Sequence, residues 1–85
     1  MDLGIRFWVD ENENITRLGI IQSTEQIKEN VRESVETIGN TMQVRRFITL
    51  RIPFGEYTEE EVLAIAKEWY RNFREERLLK VLEGD

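Results

Sequence analysis

Seven side chains carry most of the surface chemistry available to this chain: Arg6, Trp8, Arg17, Arg45, Phe47, Thr49 and Arg51. Guanidinium groups pair with carboxylates or phosphates, and flat rings stack on bases or fill pockets in a partner. No acid stands among the seven. Exposed Trp, Phe and Arg are enriched where proteins meet proteins, so the first reading is a protein-binding surface. The alternative is RNA or single-stranded DNA, which basic aromatic sheets hold by stacking and phosphate contact. A formal net charge of −5 opposes long-range attraction of nucleic acid and favours the first reading.

A second group, Leu78, Leu79, Val81 and Leu82, closes the chain with apolar side chains that the domain has no evident use for. Such a run calls for a partner, either a second copy of the chain or another protein.

Catalysis has little to work with. The sequence holds no histidine and no cysteine, which removes imidazole bases, thiolate nucleophiles, His- or Cys-ligated metals and disulfides together. Ser23 and Ser34 are the only serines, and nothing is present to activate either. Glu56, Glu59, Glu60 and Glu61 crowd together, but after Thr58 they read as a helix start, with acids against the helix dipole, rather than a cation site. The expectation is a protein that is no enzyme and needs no cofactor or metal.

Charge is segmented along the 85 residues. Positions 1 to 40 hold 8 acids and 4 bases, 41 to 55 hold 3 arginines and no acid, and 56 to 62 hold 4 glutamates and no base. The apolar fraction of 40% and charged fraction of 34% fit one soluble domain over 1–85. The opening Met-Asp-Leu-Gly lacks a basic and apolar leader, and no apolar run reaches membrane-spanning length, so a cytoplasmic protein is expected.

The elements that would position these groups follow from periodicity. Between 42 and 52, Met42, Val44, Ile48, Leu50 and Ile52 alternate with Arg45, Phe47, Thr49 and Arg51, which is the signature of a half-buried strand whose apolar face is interrupted only by Arg46. Residues 5–9 and 15–21 read as a hairpin around the polar run 10–14, with Ile5, Phe7, Val9, Leu18 and Ile20 facing in and Arg6, Trp8 and Arg17 facing out. Ile27, Val31, Val35 and Ile38 recur at helical spacing after a capping sequence at Ser23–Gln26 and before Gly39, so an amphipathic helix is predicted there.

Pro53 ends the long strand, and a second helix runs from Glu59 toward Leu82, burying Val62, Ile65, Ala66, Trp69, Tyr70 and Phe73. After Phe73 the stripe breaks, and residues 78–82 either leave the domain as helix or fold back as a short edge strand. The predicted architecture is α+β in the order ββαβα, a three-stranded sheet of order 2-1-3 with both helices packed on one face. Function is expected to be that of a small interaction module, a homo-oligomer or an accessory or inhibitory subunit on a larger protein.

Overall fold

The computed structural model describes residues 1–84 and contains four strands and one helix: β1 (Asp2–Val9), β2 (Ile15–Ser23), β3 (Asn30–Ile38), β4 (Thr41–Ile52) and α1 (Glu59–Leu82). All neighbours in the sheet are antiparallel, in the order β2-β1-β4-β3. This corrects the expected ββαβα chain with a three-stranded sheet and two helices. The segment predicted to be the first helix is a connection, 24–29, followed by β3.

The reason lies in the spacing. Val31 and Val35 are four apart, and four is close to a helical turn but is also a multiple of two, so both residues share a face in a strand as well. Val31, Val35, Thr37 and Ile38 are β-branched, which favours the extended backbone. Gly39 does adopt a left-handed backbone, at φ 62°, but it does so in the two-residue turn Gly39-Asn40 between β3 and β4 rather than as a helix cap. Ser23 accepts a hydrogen bond from the Glu25 N–H, a local turn in place of the expected capping box.

The hairpin of β1 and β2 forms as expected, its loop organised by the Asp10 carboxylate, which accepts from the N–H groups of Asn12 and Asn14 at 2.9 Å each. β4 lies beside β1 and antiparallel to it, as the expected placement of the long strand requires. Leu3, Ile5, Phe7 and Val9 from β1 meet Ile48, Leu50 and Ile52 from β4 on one face, where Val62, Ala66 and Tyr70 of α1 close the core. Trp69 and Phe73 stack at 5.2 Å and pack against its edge.

α1 begins with the expected capping box. Thr58 Oγ1 accepts from the Glu61 N–H and the Glu61 carboxylate accepts from the Thr58 N–H, both at 3.1 Å. The helix lies over β2 and β1 and leaves the helix-side surface at the turn end of the β3–β4 hairpin uncovered, around Val35, Thr37 and Met42. It stays helical through Leu82, which settles residues 78–82 as helix and not as an edge strand.

β2 and β3 are the two outer strands, so the connection between them must cross the sheet. It does so on the face opposite α1. Ile27 is buried there against Gly4, and its N–H donates to the Asp2 carboxylate at 2.7 Å.

Candidate functional site

The sheet face opposite α1 collects six of the seven expected surface residues. Arg6 faces Thr49 and Trp8 faces Phe47 across the β1–β4 ladder, and Arg45 and Arg51 lie further along β4 on the same side. The Trp8 and Phe47 rings stack at 4.8 Å with 29° between their planes, a cross-strand aromatic pair that is half-buried. Arg17 is placed differently. It occupies an irregularity in β2, with φ 53°, where the β1–β2 register slips between Arg6 and Trp8.

The face is not continuous. Arg6, Phe47 and Thr49 line a polar depression of about 680 Å³ beside the crossover. Trp8, Arg17 and Arg45 border a second one with Asp10 and Glu11, and Arg51 stands with Met1 and Asp2 in a third. Two of the arginines also have acidic neighbours, Arg45 with Glu11 at 3.6 Å and Arg51 with Asp2 at 3.5 Å. The arginine of each pair is exposed, so the pairs add little stability, but they offset the positive charge at those positions. Because the segment from Ser23 to Ile38 was expected to be helix, Lys28, Asn30 and Arg32 were not counted on this face, yet all three line the depression with Arg6.

The opposite side of the sheet carries a polar cluster that the sequence marks only by Arg46, the charge that interrupts the apolar face of β4. Arg46 donates to Glu33 Oε1 at 3.2 Å and to the Tyr70 hydroxyl at 3.1 Å. Arg77 reaches the same Glu33 oxygen at 2.8 Å, Arg74 pairs with Glu13 at 2.8 Å, and the Tyr70 hydroxyl lies 3.5 Å from Glu13. The hydrogen bonds from Arg77 and then Arg46 hold the Glu33 carboxyl below the usual glutamate range. Burial raises the Tyr70 phenol, with Arg46 opposing it. Burial alone would lower the Arg46 guanidinium, but Glu33 and Tyr70 outweigh it and its basicity rises. These contacts tie α1 to β3 and to the β1–β2 loop.

Beyond that cluster the apolar side chains lie open. Leu78, Leu79, Val81 and Leu82 are 60, 56, 72 and 74% exposed, and on the same side of the sheet Val35 and Met42 are 54 and 68% exposed. Val31 and Val44 beside them are only half-covered, and Ile38 is exposed on the other side at the hairpin tip. A cleft of about 530 Å³ lined by Arg46, Phe73, Leu78 and Val81 opens between helix and sheet.

Among the described residues no three acidic side chains converge as a metal site, and no helix is long and apolar enough to cross a membrane. No protein-family model, curated protein or solved structure matches the chain.

Proposed function

We propose that this chain is a non-catalytic interaction module that associates with itself, through the apolar end of α1 and the uncovered side of the β3–β4 hairpin. One observation carries this reading: Leu78, Leu79, Val81 and Leu82 stand exposed at the end of α1, and Val35 and Met42 stand exposed on the helix side of the sheet. A small domain has little core to spare, and burying such a surface between copies supplies stability that the single chain lacks. A larger protein presenting a matching apolar groove would make it an accessory subunit instead.

The test uses the full chain carrying Leu78→Glu and Leu82→Glu. Both positions are exposed, so the monomer should keep its fold. Light scattering should show the unmodified chain as an oligomer that dissociates on dilution and the variant as a monomer. A variant that keeps the oligomeric mass removes the helix end from the interface.

The second reading is nucleic-acid binding on the other face, favoured by Arg6, Lys28 and Arg32 gathering around Phe47 without an ion-pair partner among the described residues. Single-stranded oligonucleotides should then quench Trp8 fluorescence, with affinity falling steeply as salt rises. A silent titration at low salt contradicts it.

A further inference from the structure

We propose that two copies join edge to edge through β3, antiparallel about a two-fold axis at Ser34, to form one eight-stranded sheet. The inference rests on self-association as the function and specifies its geometry. The two outer strands of the sheet differ in their fitness for this. β2 carries the irregularity at Arg17 and a slipped register, which spoil an edge for pairing. β3 runs nine residues without a register shift or a proline. Its outer edge is a ready template.

The Gly39-Asn40 turn sets the phase of that edge. In a two-residue hairpin the flanking pair, here Ile38 and Thr41, is hydrogen-bonded, so Val31, Glu33, Val35 and Thr37 direct their N–H and C=O groups away from β4. A partner β3 meets them in the same phase when odd-numbered residues face odd-numbered ones. Three such registers are centred near the middle of the strand. Centring on Glu33 sets two like charges opposite each other, and centring on Val35 leaves Arg32 opposite the partner's Ile38.

Centring on Ser34 sets Arg32 opposite the partner's Glu36, and Glu36 opposite the partner's Arg32. Within one chain these two side chains share the face opposite α1 but stand about 13 Å apart along the strand, too far to pair. Neither has an ion-pair partner among the described residues. The sequence Arg32-Glu33-Ser34-Val35-Glu36 is thus self-complementary only between copies. On the α1 side, Val35 gains the partner's Val31 and Val35 as diagonal neighbours.

The apolar helix end belongs to the same contact. Arg77 is bound to Glu33, one residue from the two-fold axis, and Leu78 to Leu82 continue from there. An edge of nine residues alone buries less than the roughly 1,200–2,000 Å² of a stable interface, and the helix ends supply further apolar area.

Ser34→Cys tests the register, since the sequence has no other cysteine. Ser34 and its copy form a non-hydrogen-bonded pair, with Cα atoms about 4.5–5.5 Å apart, within disulfide range. Mild oxidation should link this variant into a covalent dimer. Thr37→Cys, displaced about 20 Å along the strand from its own copy, should stay unlinked.

Arg32→Glu should weaken association on the order of tenfold by setting like charges opposite each other twice, and Arg32→Glu with Glu36→Arg should restore it. Circular dichroism reports the fold of each variant, and Glu36→Arg alone carries the same expectation if Arg32→Glu does not fold. A dimer that neither links through position 34 nor responds to the charge exchange overturns the β3 edge while leaving self-association standing. A chain that is monomeric at every concentration overturns both.

Discussion

At the scale of single residues, Glu33 is the junction on which the α1 side of the molecule turns. It accepts from Arg46 of the neighbouring strand and Arg77 of the helix through one oxygen, so losing its charge loosens both. Its folded-state pKa is depressed, so its stabilising contribution is complete above the ordinary glutamate range and is lost as pH falls through the lowered folded value. Urea midpoints of the unmodified chain and of Glu33→Gln should therefore differ at neutral pH and converge in acid. A gap that persists unchanged at low pH would remove these ion pairs from the account. The sequence marked this site only at Arg46, the one charge on an otherwise apolar strand face, because Glu33 lay within the segment predicted to be helix.

At the scale of elements, the long strand, the first hairpin and the capped C-terminal helix were legible because period two, polar loop residues and a hydroxyl-plus-glutamate cap each point to one structure. β3 was not. Its apolar residues fit both periods, and the choice is made by what the segment meets: Ile27 seats on Gly4 during the crossover, and β4 offers an open edge through a Gly-Asn turn. The first joins distant parts of the chain, and the second is a local hairpin whose left-handed Gly39 fits a helix C-cap equally well.

Gly4 makes the crossover possible, since a Cβ there would come within 2.6 Å of the Leu50 carbonyl oxygen and 3.1 Å of Ile27 Cδ1. Gly4→Ala should cost about 1–3 kcal/mol, because a backbone oxygen in the central ladder cannot move aside cheaply. Gly19→Ala, with nothing within 4 Å of the added carbon, should be close to neutral. Denaturant midpoints that rank the two the other way would mean that the crossover does not rest on Gly4.

At the scale of the whole molecule, the seven residues expected to form one surface are divided by the crossover and by acidic neighbours, while the apolar helix end emerges exposed. The break in the helical stripe after Phe73 pointed to that end, because a helix whose apolar face rotates away from its own core presents it elsewhere. The uncovered hairpin beside it was hidden, since it follows from α1 lying over β2 and β1 and from β3 being a strand at all.

The chain then has two outer strands and one apolar side, and a second copy can satisfy both needs at once. Sedimentation equilibrium of the unmodified protein over a wide dilution series measures this most directly. A β3-edge dimer gives a mass of twice the 10.2 kDa chain that falls toward the single-chain value on dilution. A mass that stays at 10.2 kDa up to about 100 μM, where even weak specific pairs form, would contradict it.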